Sequence, residues 1–166
     1  MSDMYMEHLV KKKKTAGDYA LRALIIIVIV LSVAAGIFIN TILFFVTFGL
    51  WALASMVVFP ATDLEYEYLY CDKQLTVDKI LGKQRRKRVA EYQLDQMELV
   101  VPANSYRLAE YKNKNLKTVN LWSLDDSEGK VPYVIIYSGN QKIILDLPTE
   151  FVKIVQNNAP RKVFFD

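Results

Sequence analysis

The chain has 166 residues, 52% hydrophobic and 23% charged, with a formal net charge of +3. That length admits one ordinary domain, and the hydrophobic share is high for a soluble domain of this size. The small net charge and the single cysteine, Cys71, speak against a wide nucleic-acid-binding surface and against an exported fold stapled by disulfides.

Residues 1–18 form a basic tail, in which Met4, Met6, Leu9 and Val10 precede the run Lys11 to Lys14. The tail reads as a short interfacial helix on an anionic leaflet or, more simply, as a flexible topology signal. His8, the only histidine, has no partner nearby in sequence and reads as a solvated side chain.

From Ala23 to Thr62 no side chain is charged. A single helix over the apolar part of that run would be about 55 Å long, far beyond a hydrocarbon core of roughly 30 Å. Gly36, Asn40 and Thr41 interrupt it where a turn would fall, so the spacing predicts a transmembrane hairpin over residues 19–59. Its helices run from about Tyr19 to Phe38 and from about Thr41 to Phe59, and Pro60 closes the second. The run is too long for a secretory signal peptide, and it lacks the polar positions at helical spacing of a core helix. Lysines flank the first span and the turn carries no charge, so both termini are expected in the cytoplasm of a two-span cell-membrane protein.

Residues 61–166 change to period two and read as a separate, mostly β domain. The expected strands are Leu64 to Cys71, Gln74 to Leu81, Arg86 to Tyr92, Met97 to Val101, Thr118 to Trp122, Val131 to Ser138 and Gln141 to Leu147. Asp72-Lys73, Gly82-Lys83 and Gly139-Asn140 are the tight turns between them. Val131 to Tyr137 is apolar on both faces, as a central strand would be. Ala103 to Leu116 reads as a loop with one helical turn near Tyr106 to Tyr111, and Asp125 to Gly129 as an exposed loop. After Pro148 the period becomes helical, with Thr149 as the expected cap and Pro160 as the stop. The fold class is α+β: a helical hairpin, then an antiparallel sandwich or open barrel of about seven strands closed by a C-terminal helix.

Tyr66-Glu67-Tyr68, a turn, Leu75-Thr76-Val77, Gly82, a basic strand and Leu94 give an order that resembles the bacterial pleckstrin-homology-like (PH-like) domains that follow paired membrane helices. The whole chain is similar to an uncharacterised family of small bacterial membrane proteins, a domain of unknown function. The matching stretches are Tyr66 to Tyr70, Asp78-Lys79-Ile80 through Gly82, Arg85 to Val89, and Ala159 to Phe164. The resemblance implies an architecture and brings no catalytic or binding residues with it, because one fold hosts many functions.

The densest charge is Lys83, Arg85, Arg86, Lys87 and Arg88. These five are the candidate site for anionic lipid headgroups or an acidic partner. Strand alternation separates Lys83, Arg85 and Lys87 from Arg86 and Arg88, and Glu65, Glu67 and Asp78 are the acids able to pair with one set across strands. Tyrosines 66, 68, 70, 92, 106, 111, 133 and 137 either line a groove or pack the core, and Cys71 reads as a structural thiol. No phosphate loop, metal cluster or nucleophile set is present in the sequence, so no catalytic residue, cofactor or metal is assigned. Three functions follow as expectations. The first is a non-enzymatic interaction or scaffold module at the inner face of the membrane, with a protein partner or membrane complex. The second is recognition of anionic lipid by residues 83–88, and the third an enzyme of unrecognised type.

Overall fold

A computed structural model describes residues 5–125, 130–138 and 140–166. The expected loop at Asp125 to Gly129 falls outside these residues beyond Asp125, and so does Gly139 of the last hairpin turn.

The chain opens with a strand. In β1 (Met6–Lys11), Met6, His8 and Val10 are half-buried and alternate with exposed Glu7, Leu9 and Lys11. The strand pairs antiparallel with β2 (Leu64–Cys71), matching Met6 to Tyr70 and Lys11 to Glu65. The tail is therefore neither an interfacial helix nor a loose signal over these residues. The alternation was in the sequence, but the pairing partner lies across the whole apolar run, so no local hairpin announced it.

The helices stand between these two paired strands. α1 (Ala16–Phe38) starts at a capping box, in which Thr15 and Asp18 satisfy each other's backbone donors. Gly36 does not form the turn. It lies inside α1, where a Cβ would come 3.3 Å from the Phe44 ring, so its lack of a side chain permits close helix contact. The turn falls at Asn40, whose side chain accepts from the Ile42 amide at 2.9 Å. α2 (Leu43–Ala61) contains a π-helical turn over Ala54–Val58 and carries Pro60 in its last turn. Both helices are long and apolar enough to cross a membrane, and only Gly36 and Ala54 in them are buried. Ser32 and Thr47 share a hydrogen bond of 2.8 Å between them. Arg22, the sole cation of α1, donates to Thr62 Oγ1 at 2.5 Å and to the Phe59 carbonyl at 3.2 Å, tying the start of α1 to the end of α2.

Two four-stranded sheets follow. The first is ordered β1-β2-β3-β4, with β3 (Gln74–Leu81) and β4 (Arg85–Gln93) added antiparallel to β2. The second is ordered β5-β7-β8-β6, from β5 (Met97–Pro102), β6 (Lys117–Asn120), β7 (Tyr133–Tyr137) and β8 (Gln141–Leu145). Only the β6-β8 pair is parallel. Positive φ at Asp72, Lys73, Gly82 and Lys83 makes the first two reversals tight. The expected helical turn near Tyr106 is a 3-10 segment over Tyr106–Tyr111.

The core lies between the sheets, where Tyr68, Tyr70, Leu75, Val77, Ile135, Ile143 and Leu145 are at most 1% exposed. α3 (Thr149–Asn158) closes it with Phe151, Val152 and Val155. Thr149 is not its cap: Pro148 holds that position with φ −67°, and its carbonyl accepts from the Val152 amide at 3.1 Å. The fixed φ of proline starts the helix without a side-chain hydrogen bond. The tail after α3 joins β5 through a Val100-Val163 bridge. Among the described residues there are thus eight strands, one more than expected, and the additional one is β1.

Candidate functional site

Strand β4 divides four of the five candidate cations between the two faces of its sheet, and Lys83 stands in the turn before it. Arg86 makes an ion pair with Glu67, and its Nε lies 3.8 Å from Asp78 Oδ2. Arg88 reaches Asp78 Oδ1 at 3.7 Å and Glu91 Oε1 at 2.6 Å. Glu67 and Asp78 are 2% and 4% exposed, so these arginines, themselves more than half exposed, cover and neutralise buried carboxylates from the surface of the sheet. Burial, and then a hydrogen bond with Glu7, push the Glu67 carboxyl above its ordinary range, against the pull of Arg86. Glu65, the third acid expected to pair, sits across from Lys11 and Ile80 in register.

Lys83, Arg85 and Lys87 behave differently. They are exposed, and none forms an ion pair among the described residues. Lys87 stands directly opposite Lys79 on β3, and Arg85 opposite Leu81. Two like charges face to face repel by a few tenths of a kcal/mol or more, roughly 0.2–1 by analogy with favourable pairs, unless an anion lies between them. Lys79 also lies over the Tyr66 ring at 5.7 Å. Lys79 was missed because it stands outside the charge run. The Gly82-Lys83 reversal, which fixes the register, was the signal that could have placed it.

This cluster sits where the helices leave the sandwich. The Gly82 amide donates to the Asp63 carbonyl at 2.8 Å, and a Cβ on Gly82 would come 2.8 Å from Pro60 Cβ. Lys11 and Lys14 reach Asp63 at 3.5 and 3.6 Å. Although desolvation would raise it, these two lysines hold the Asp63 carboxyl below its usual range. The junction between helices and sheet is therefore flanked by Lys11 and Lys14, from the end of β1 and the link to α1, and by Lys83 of the β3-β4 turn.

A second feature lies at the opposite edge of the sheet. His8 is not solvated. Its ring stacks on Tyr68 at 6.3 Å between centroids, and burial lowers its pKa, with Asp146 opposing and Lys130 assisting the shift. Tyr68 donates to the Leu121 carbonyl at 2.5 Å and accepts from the Asp146 amide at 3.4 Å, while Asp146 Oδ2 accepts from the Ser123 amide at 2.7 Å. A groove of about 690 Å³ runs beside β1 here, lined among others by His8, Leu9, Tyr133, Leu147 and Phe165. The nearby hydroxyl of Ser123 accepts from the Asp125 amide at 3.2 Å, so Asp146 and Ser123 together hold the backbone of residues 123–125 in place. Among the described residues, no group of three or more His, Cys, Asp or Glu side chains is arranged to hold a metal ion.

Most of the remaining sequence candidates pack against other side chains. Tyr66, Tyr68, Tyr70, Tyr92 and Tyr133 are buried in the core. Tyr137 meets Tyr92 edge-on at 5.1 Å, Lys114 lies 4.4 Å over Tyr111, and Tyr106 is exposed. Cys71 is exposed at the end of β2. A family model described as "Bacterial PH-like domain (DUF6106)" matches residues 2–165. No curated protein and no solved structure matches the chain.

Proposed function

We propose a function from this premise: the chain belongs to the bacterial PH-like DUF6106 family. It acts as a membrane-anchored, non-enzymatic interaction module. α1 and α2 cross the cell membrane as a hairpin, and the sandwich lies at the cytoplasmic face, where it holds a protein partner or a larger membrane complex. The observation that carries this reading is the β1-β2 pairing, which brackets the hairpin. A chain that leaves a sheet and returns to the adjacent strand brings both ends of the hairpin to one place, so both termini share a compartment. Apolar side chains exposed along both helices support insertion, since a soluble protein has little reason to expose so continuous a surface. The lysines of residues 11–14 support the inward orientation.

The test is extraction. Membranes containing the full chain are washed with alkaline carbonate, and the reading expects the chain in the pellet until detergent is added. Release by carbonate alone overturns it.

One observation favours contact with anionic lipid as well. The Lys79-Lys87 opposition, joined by Lys83 and Arg85 beneath Pro60, leaves positive charge uncompensated where headgroups would lie. Phosphates there would relieve the repulsion at about 1 kcal/mol per cation. Arg86 and Arg88, engaged by acids, drop out of the site. The full chain in phosphatidylglycerol nanodiscs should then melt higher than in phosphatidylcholine nanodiscs, and K79Q/K87Q should remove the difference. Equal melting of the unaltered chain in both rejects lipid contact.

A further inference from the structure

Among the described residues, the outer edge of β1 pairs with no other strand. The Lys12 amide donates to the Leu64 carbonyl, and the Lys13 amide donates the other way, to the Ser123 carbonyl. By alternation, the backbone groups of Val10 and His8 point to β2, while those of Lys11, Leu9 and Glu7 point outward. Among the described residues these outward groups have no backbone partner. Free sheet edges are ordinarily blunted by charge or covered. The other edge of the same sheet is blunted: β4 carries Arg85 to Arg88 and an irregularity in its pairing with β3 at Val77/Asp78. β1 carries exposed Glu7 and Lys11 at its ends but Leu9, 50% exposed, at its middle, and its pairing with β2 has no irregularity.

The groove beside that edge has a mixed lining, in which exposed apolar side chains stand among Lys11, Asp125, Lys130 and Asp146. Outside the helical hairpin and its turn, the exposed large apolar side chains among the described residues are Tyr5, Leu9, Val89, Tyr106, Val131 and Phe165, and Leu9, Val131 and Phe165 all line this groove. Its volume of about 690 Å³ lies within the range of ligand-binding clefts. Donors and acceptors unpaired among the described residues, at strand spacing and beside a cleft that exposes Leu9, Val131 and Phe165, match one ligand chemistry: an extended backbone with an apolar side chain at alternate positions.

The geometry points to β1 as a strand-addition site, where an extended apolar segment of a partner protein hydrogen-bonds to Leu9 and Lys11 and seats alternate side chains in the groove between Val131 and Phe165. This deepens the interaction-module reading by giving the partner's chemistry, and it rests on that reading.

The probe is a random heptapeptide display library selected on the full chain in nanodiscs. A selected peptide is then remade with backbone N-methyl groups at odd or at even positions. One set should abolish binding and the other leave it intact, because only alternate amides face β1. Leu9→Pro deletes one outward donor without touching the β1-β2 ladder, and it should weaken binding about tenfold or more. The methylation comparison uses the unaltered chain and stands even if that variant folds poorly. Four results overturn the inference: no peptide selected, equal effects of both methylation sets, undiminished binding by a folded Leu9→Pro chain, or a dimer of the chain that Leu9→Pro dissociates. None of these alters carbonate extraction, so failure here and failure of membrane anchoring are separable.

Discussion

Gly82→Ala tests the junction between the helical hairpin and the sheet. Gly82 has φ +56°, a region that costs a residue with a Cβ about 1–2 kcal/mol. The new methyl would also stand 2.8 Å from Pro60 Cβ and 3.0 Å from Pro60 Cα, atoms of a rigid ring and backbone that cannot rotate away. Overpacking of that kind adds about 1–3 kcal/mol, so the expected loss is roughly 2–5 kcal/mol. Lys83, the next residue, already carries φ +59° with its side chain exposed. Lys83→Asn, which tolerates that conformation better, should stabilise by up to about 1 kcal/mol. Adjacent substitutions in one turn thus have opposite signs. The assay is thermal unfolding of the full chain in detergent, followed by near-ultraviolet circular dichroism, where 1 kcal/mol moves the midpoint by about 2–4 °C. An unchanged midpoint for Gly82→Ala, or a fall for Lys83→Asn as large as for Gly82→Ala, refutes the reasoning.

Tyr68→Phe removes a donor to the Leu121 carbonyl and an acceptor for the Asp146 amide, and chemical denaturation should show a loss of about 1–3 kcal/mol. Arg86→Met leaves the buried Glu67 without its cation. Because the folded-state pKa of Glu67 is already raised from 4.5, its contribution is present below that value and is lost as pH rises through the folded one, so the cost of Arg86→Met should grow over that acidic window and level off above it. Adding Glu67→Leu should recover most of the loss. His8 should titrate below the ordinary 6.5 by nuclear magnetic resonance. The unfolded chain then binds the proton more readily, so stability should decline as pH falls from about 6.5 toward the folded value. His8→Gln should flatten that slope, and an unchanged slope would assign it to other groups.

Elements whose partners are close in sequence were legible. β2 and β3 begin and end where alternation placed them, because Asp72-Lys73 joins them directly and fixes their register. The engagement of Arg86 and Arg88 with Glu67 and Asp78 followed from the same alternation. β1 was hidden, since six residues of alternating polarity become a strand only when β2 returns from beyond the helices. With β1 went the environment of His8 and the groove beside it, neither of which exists until the two ends of the hairpin meet. Lys79 escaped notice for a smaller reason: cross-strand opposition, not sequence neighbourhood, puts it beside Lys87.

The account depends on a hairpin inserted into a sheet, with β1 and β2 on one side of a lipid bilayer. Reporter domains that are active only in the cytoplasm, fused in turn to the N-terminus and to the C-terminus of the full chain, test this most directly. Activity from both fusions is the predicted result. Activity from one alone would mean that β1 and β2 lie on opposite sides of the membrane and cannot pair, which contradicts the fold and the function built on it.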